Sequence, residues 1–386
     1  MNLFDGLLLA GAAFGAYGGL KLGFLQRLSG WIGAGVGLGI ALLLLPEIAK
    51  ASGVNSDIAI LSLSAAVLFL AFMLGQGIGS AVGSKLRRSV DSTAGRGLDA
   101  FGGAILGVLG VIVLSWLILP VMSETEGWPA AAARGSLFSR WISDSLPAPP
   151  SQITDLERQL TGSEFPRVFS GLRPAPTILP PPEGSPVSQE QLSAAAKSSV
   201  RVEATACDQN QSGSGFFVAD NLIATNAHVV SGSTSLQVVS ADEKEVVDGQ
   251  VVAFDPEVDL ALVATDLKRP PLPIATPQVG DLGLVLGFPG GGPFAPSPFV
   301  IGERIEANGY DIYDRALVTR DLLVLGSNLA PGDSGSAVLR SDGSVVGVAV
   351  AIAPDKQGVA YALSATELTQ LLDAGTGREV STGSCI

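Results

Sequence analysis

Four long apolar stretches crowd the first third of this 386-residue chain, and nothing else in it limits the possible folds as strongly. They run from Leu3 to Leu25, Leu28 to Leu45, Ile58 to Val82 and Phe101 to Met122. Each approaches the roughly twenty residues that a helix needs to cross about 30 Å of hydrocarbon. Inside a bilayer the backbone has to satisfy its own polar groups, so such stretches are read as helices. Residues 1–123 are therefore expected to form a four-helix transmembrane domain. "MNLFD" has no basic start and more apolar spans follow, so the first stretch reads as a span rather than a cleaved leader. Lys21, within the first span, is long enough to reach the interface. Gly11, Gly15 and Gly19 recur every four residues, as do Gly79 and Gly83, a spacing that lets helix backbones approach closely in lipid. No pair of ionisable residues marks a solute path at mid-span, which argues against a transporter.

The rest of the chain has a different character. Residues 1–123 hold 7 Lys+Arg and 5 Asp+Glu; residues 124–386 hold 16 and 31. An acidic surface of that size argues against nucleic acid as a partner, because phosphate binding needs positive charge. Most basic residues of the first part gather at two connections: Lys21 and Arg27 flank the one between spans one and two, and Lys85, Arg87, Arg88 and Arg96 lie between spans three and four, while the remaining connection, with Lys50, is nearly balanced. Basic connections stay in the cytoplasm. Both termini, and with them the acidic second part, are expected outside it. The lipid bilayer is thus one expected partner.

Residues 124–187 read as an extracytoplasmic linker. "LPAPP" and "LRPAPTILPPPEGSP" interrupt any continuous helix or sheet and suggest a semi-rigid spacer. One short helical pattern, "ITDLERQL", breaks it. At Ser188 a capping box, with Gln191 three residues on, announces a short helix and a new domain over 188–386. From Val200 the pattern is one of short Val-, Ile-, Leu- and Thr-rich runs such as "VRVEATA", "GSGFFVA", "LALVAT" and "VVGVAVAIA", separated by Gly, Pro, Asp and Asn. Many short strands without helical spacers predict an all-β barrel or sandwich.

The only histidine, His228, lies in "TNAHVV". A lone histidine says little until a partner is found. "APGDSGSAV", residues 330–338, supplies one: Ser334 between glycines in a turn that can expose its hydroxyl. A serine hydroxyl is a weak nucleophile until a base takes its proton, and His228 is the one imidazole available. The backbone N–H groups of Gly332 and Ser334 can converge on one point, where an oxyanion would develop. A third residue should orient the ring. Asp259, in "DPEVDLALV", precedes a run that reads as a buried strand, and a buried acid needs a partner. Asp255 is the runner-up, in a turn with Pro256 that is expected to face solvent. One histidine and two distant cysteines allow no Cys/His metal cluster, and no cofactor is expected.

The three motifs resemble those of the chymotrypsin-fold serine proteases, in their bacterial HtrA/Deg branch. The order His, Asp, Ser is that of the chymotrypsin class. "GSGFFVADNLIATNAHVV" resembles the branch's first hairpin and "LGFPGG" a later strand and turn. The resemblance covers about residues 195–373 and implies a double β-barrel with His228, Asp259 and Ser334 as a catalytic triad. It also places Asn328, six residues before the nucleophile, at the base of the pocket for the side chain preceding the scissile bond. Trypsins that demand Lys or Arg carry Asp there, so a purely ionic preference is not expected. "GVAVAIA" is expected to form small apolar walls. No PDZ module is seen after Leu372, and four spans precede the protease. Those spans are similar to the CvpA (colicin V production) family. The whole arrangement resembles the MarP-type membrane-anchored periplasmic proteases of mycobacteria and related actinobacteria. That resemblance implies protein substrates in the cell envelope and a role in acid and oxidative stress. A catalytically weak binding or chaperone-like module on the same fold is the alternative.

The two cysteines, Cys207 and Cys385, both fall in the extracytoplasmic part, where disulfides persist. A bond between them would tie the tail back to the barrel and contribute up to about 5 kcal/mol by chain entropy.

Overall fold

The computed structural model describes residues 1–52, 57–147, 169–206, 209–377 and 379–385. The chain divides into two compact units: Met1–Leu119 with Ser136–Leu146, and Pro120–Gly135 with Pro147–Ile386.

Helices α1 (Leu3–Leu22), α2 (Phe24–Ser52), α3 (Asp57–Arg88) and α4 (Thr93–Glu124) carry the four apolar stretches. All four are long and apolar enough to cross a membrane. The glycine spacing has the expected consequence. A Cβ on Gly15 would stand 2.6 Å from the Gly107 carbonyl oxygen of α4, and one on Gly83 2.6 Å from the Gln26 Cα of α2. Only residues without side chains permit these approaches. At one end of the bundle, Asp99 accepts from Leu25 N (2.9 Å) and pairs with Arg87 Nε (2.7 Å), which closes the α1–α2 corner. Asp5 holds the start of α6 (Leu137–Ser145) through Ser136 Oγ (2.6 Å) and Phe138 N (3.0 Å).

The stretch read as a spacer is more structured than its prolines suggested. It contains α5 (Trp128–Arg134) and α6, while "ITDLERQL" lies outside the described residues. Residues 169–187 run along the protease as an extended strap. Ile178 packs where a Cβ on Gly302 would be, and Phe169 meets Tyr361 edge-on at 5.3 Å between ring centres. Proline forbids a continuous helix, but an extended chain can still pack against a sheet.

The expected capping box is present: Ser188 Oγ accepts from Gln191 N (3.2 Å) and Gln191 Oε1 from Ser188 N (3.2 Å) at the start of α7 (Gln189–Lys197). Among the described residues, twelve antiparallel strands follow. β1 (Ser199–Ala206), β2 (Gln209–Ala219), β3 (Leu222–Thr225), β4 (Ser233–Ser240), β5 (Val246–Asp255) and β6 (Leu260–Thr265) close into one barrel, in the order β1-β2-β3-β6-β5-β4. β7 (Leu282–Gly287), β8 (Ala295–Tyr310), β9 (Leu317–Gly326), β10 (Ala337–Arg340), β11 (Val345–Ile352) and β12 (Val359–Ser364) close a second, in the order β10-β11-β12-β9-β8-β7. Helix α9 (Ala365–Ala374) follows.

The strand patterns explain the two barrels. In β6, Ala261 and Val263 point into the first barrel's core with Val202, Phe217 and Val238. Leu260 and Leu262 point the other way, into a shared core with Leu284, Leu286 and Leu322 of the second barrel. Both faces are buried, so the strand reads as an unbroken apolar run rather than an alternation. The shared core fixes the two barrels against each other.

Candidate active site

His228 sits on α8 (Ala227–Val230), a single turn that leaves β3. Asp259 occupies the turn just before β6 and is fully buried. Its two oxygens divide the work of holding the histidine: Oδ1 accepts from His228 N at 2.9 Å and Oδ2 contacts Nδ1 at 2.7 Å. A carboxylate can only accept, so it fixes the ring proton on Nδ1 and leaves the Nε2 lone pair free to take a proton. Asp259 pays a conformational cost for this position, with φ at +70°, a region that L-residues other than Asn and Asp seldom enter. Its surroundings enforce it. Asp259 N donates to Asp255 O (3.0 Å), and Asn226 Nδ2 donates to Asp259 O (2.8 Å). Asp255, the alternative to Asp259, does not approach the histidine. Its Oδ1 accepts from Glu257 N (2.9 Å) and Val258 N (3.0 Å) and so caps the turn.

Ser334 follows a tight turn in which Asp333 N donates to Ala330 O (3.0 Å). Pro331 and Gly332 are its central residues, and Gly332 has φ of +94°. Pro followed by a left-handed Gly is the signature of a type II turn. Gly332 is irreplaceable for a second reason: a Cβ there would stand 2.5 Å from Phe288 O and 2.9 Å from the Gly290 and Gly291 nitrogens, in the "LGFPGG" segment. Among the described residues, neither Gly332 N nor Ser334 N donates to a protein acceptor. Two neighbouring N–H groups without an internal partner are what an oxyanion site requires.

The sequence reading missed the residues that lock this turn to the other barrel. Ser214 of β2 is fully buried. Its N donates to Ser334 O (2.7 Å), its Oγ donates to Gly332 O (2.7 Å) and accepts from Phe288 N (3.0 Å). Thr225 Oγ1 donates to Ser214 O (2.8 Å). Gly213 stands where a Cβ would strike the Val229 side chain (2.6 Å) and crowd Ser334 O (3.2 Å), so the histidine turn and the serine turn meet over it. The signal was present in "GSGFF": two glycines inside a strand mark a close backbone approach. Among the described residues no hydrogen bond joins Ser334 Oγ to His228, a contact often loose without substrate.

Asn328 is exposed in the loop after β9, and a Cβ on Gly358 would stand 3.5 Å from its Oδ1. Residues 347–353, expected as small apolar pocket walls, form most of β11 and its end; they are almost wholly buried and pack into the hydrophobic cores through Val348, Ala349, Val350 and Ala351. The 353–358 loop that leads to Gly358 is held from outside. Pro354 O accepts from Gly127 N (2.9 Å), Asp355 Oδ2 from Ala175 N (2.8 Å), and Lys356 Nζ donates to Pro176 O (3.2 Å) and Thr177 Oγ1 (2.8 Å). The C-terminal tail holds the opposite side. Gly377 N and Val380 N donate to Val252 O (3.1 Å) and Val251 O (3.0 Å), and Ser231, directly after α8, donates to Ser384 O (2.8 Å). Cys385 is disulfide-bonded; Cys207 lies outside the described residues. No cluster of metal-ligating side chains occurs among the described residues.

Known proteins carry the same two parts. A family model described as trypsin-like peptidase domain matches residues 213–348, and one described as colicin V production protein matches residues 4–147. Serine protease Rv3671c of Mycobacterium tuberculosis (strain ATCC 25618 / H37Rv) is 31% identical over 326 residues, 81% of this chain and 79% of its own. The crystal structure of the Rv3671c protease from M. tuberculosis in its active form aligns with a TM-score of 0.50 at 34% identity, over 56% of this chain and 99% of that one. Identity at this level across most of both chains shows descent rather than shared architecture alone: the chain belongs to the family of serine proteases in which a colicin V production-type helical region precedes a trypsin-like peptidase domain.

Proposed function

We propose that this serine endopeptidase works outside the cytoplasm on cell-envelope proteins, with Ser334 as nucleophile, His228 as general base and Asp259 as the residue that orients the ring. The two-point grip of Asp259 on His228 carries the reading. Ser334 Oγ attacks the scissile carbonyl while His228 Nε2 takes its proton. The carbonyl oxygen becomes an oxyanion between Gly332 N and Ser334 N, and Asp259 stabilises the imidazolium that forms. Collapse expels the amine, which receives the proton from Nε2. Water then repeats the sequence on the acyl-enzyme and releases the carboxylic acid. Asn328 would contribute to the primary specificity pocket from its exposed position in the loop after β9.

The extracytoplasmic location rests on the Lys and Arg residues of the two basic connections, with both termini on the opposite side. A Cys207–Cys385 bond fits that location and would secure the tail beside the histidine turn. The part of this reading that concerns acid and oxidative stress rests on the resemblance of the whole arrangement to the membrane-anchored periplasmic proteases.

The test is kinetic. His228→Ala and Ser334→Ala should each lower peptide hydrolysis by roughly 10⁴-fold or more, with little further loss in the double variant, because the groups act as a unit. Near-normal hydrolysis by His228→Ala would replace this reading by a binding module on a protease fold.

A further inference from the structure

Arg320 is a buried cation that the catalytic steps above do not use. It lies on β9 of the second barrel and is 3% exposed. A buried charge is costly unless it is held by partners. Its direct partners are neutral: Nε donates to Glu257 O at 2.8 Å and Nη2 donates to Tyr310 O at 2.7 Å. Glu257 lies two residues before Asp259, inside the turn that forces Asp259 into its left-handed conformation. Tyr310 ends β8 and leads into the loop whose Ile312 N donates to Pro256 O (3.1 Å) in that same turn. The guanidinium thus bridges a carbonyl of the first barrel and a carbonyl of the second, immediately behind the aspartate.

Its electrostatic surroundings point the same way. Burial lowers the guanidinium's affinity for its proton, and four carboxylates oppose that: Asp259 first, then Asp311, Asp255 and Glu367. Asp255 and Asp259 come from the turn before β6, Asp311 from the loop after β8, and Glu367 from α9. Asp311 and Asp255 are already committed locally. Asp311 Oδ1 accepts from Tyr313 N (3.1 Å) and Arg315 N (2.7 Å), and Asp255 Oδ1 caps its own turn. Glu367 Oε1 accepts from Asp321 N (2.8 Å). None of the four forms a direct ion pair with Arg320 among the described residues.

We propose that Arg320 is a positioning residue for the Asp259–His228 pair: it holds the 255–259 turn across the barrel interface and sets a positive field behind Asp259. The inference rests on the triad reading. Two consequences follow. Geometry fixes where Asp259 can hold the ring, so loss of Arg320 lowers kcat more than it raises KM. A cation behind Asp259 opposes a second positive charge nearby, so its removal should move the acidic limb of activity to higher pH.

The experiment uses the full-length chain in detergent, with pH–rate profiles on one peptide substrate for wild type, Arg320→Met, Arg320→Lys and Glu367→Gln. In Arg320→Met, kcat should fall by roughly 10- to 100-fold with KM within about threefold, as for a misplaced catalytic group. The acidic limb of kcat/KM should move up by about half a pH unit or more, as for loss of a nearby cation. Arg320→Lys keeps the charge and loses the two-carbonyl fork, so kcat should fall while the limb stays near that of wild type. Glu367→Gln removes an opposing carboxylate at the rim, keeps its acceptor for Asp321 N, and should move the limb to lower pH. That variant leaves the buried fork intact, so it decides the matter if Arg320→Met does not fold. A limb unmoved in both Arg320→Met and Glu367→Gln, or moved equally in Arg320→Met and Arg320→Lys, overturns the proposal, as does unchanged kcat in Arg320→Met. Failure of the triad itself looks different: hydrolysis would then survive Ser334→Ala whatever stands at 320.

Discussion

Replacing Asp333 by Asn should make the protease more stable at neutral pH and leave it little changed in acid. Asp333 is 3% exposed. Its Oδ2 accepts from Ala330 N at 2.9 Å, and among the described residues no cation pairs with it. Burial raises its pKa from 3.8 to about 6, against a smaller pull downward from the Ala330 N–H. Between those values the native protein holds a proton that the unfolded chain has released. At about 1.4 kcal/mol per pH unit, this amounts to about 3 kcal/mol of stability. It is fully present below about pH 4 and is lost as the pH rises through 6. An asparagine keeps the acceptor for Ala330 and never ionises. Its amide also has the Ser336 hydroxyl nearby, a buried group without a hydrogen-bond partner among the described residues that crowds Gly287 together with Asp333. The assay is scanning calorimetry of the full chain in detergent, on a Ser334→Ala background to stop self-digestion. Tryptophan fluorescence is unsuitable, because Trp31, Trp116, Trp128 and Trp141 all lie outside the barrels. Between pH 4 and pH 7 the Tm of the Asn variant should gain on wild type by about 6–12 °C, as expected for about 3 kcal/mol in a domain of this size. A gap that does not change with pH, or one that shifts in favour of aspartate as the pH rises, would refute the argument.

Gly332→Ala should cut kcat by about 10²- to 10³-fold, the usual cost of losing one oxyanion donor, because neither the positive φ nor the contact with Phe288 O admits a Cβ. Binding of a reversible substrate-like inhibitor would separate that loss from misfolding: the variant should still bind it with near wild-type affinity. Lys356→Met should raise KM by roughly 3- to 10-fold with kcat less affected, since it frees the 353–358 loop from the strap beside Asn328; an unchanged KM would detach the strap from the specificity pocket. Mass spectrometry of non-reduced peptides should find Cys207 linked to Cys385, and reduction should destabilise the domain by at most about 5 kcal/mol; two alkylated thiols in protein kept oxidised would contradict this.

What could be read from the sequence was local. The capping box at Ser188 and Gln191, the glycine-flanked turn at Ser334 and the glycine ridges of the spans each express a rule that operates within a few residues. The three motif residues were legible because each sits in a short, chemically specific context. Asp259 was separable from Asp255 because a buried strand begins right after it. Arg320 was not legible. In "LVTRDLLVL" it alternates like any exposed strand residue, and only the packing of β9 against the 255–259 turn buries it. Ser214 was hidden for the same reason, since its partners lie more than a hundred residues away in the serine turn. The strap was misjudged because proline content predicts what a segment's backbone cannot do and says nothing about what its side chains pack against. Ile178 finds its site only because β8 places Gly302 there.

The most direct test of the account is to label the full-length protein with a fluorophosphonate and locate the adduct by peptide mass spectrometry. Only a serine activated by a neighbouring base reacts quickly with such a reagent. The account predicts a single modified residue, Ser334, with labelling abolished in Ser334→Ala and slowed by orders of magnitude in His228→Ala. Rapid labelling at another serine, or labelling of Ser334 that is indifferent to His228, would contradict it.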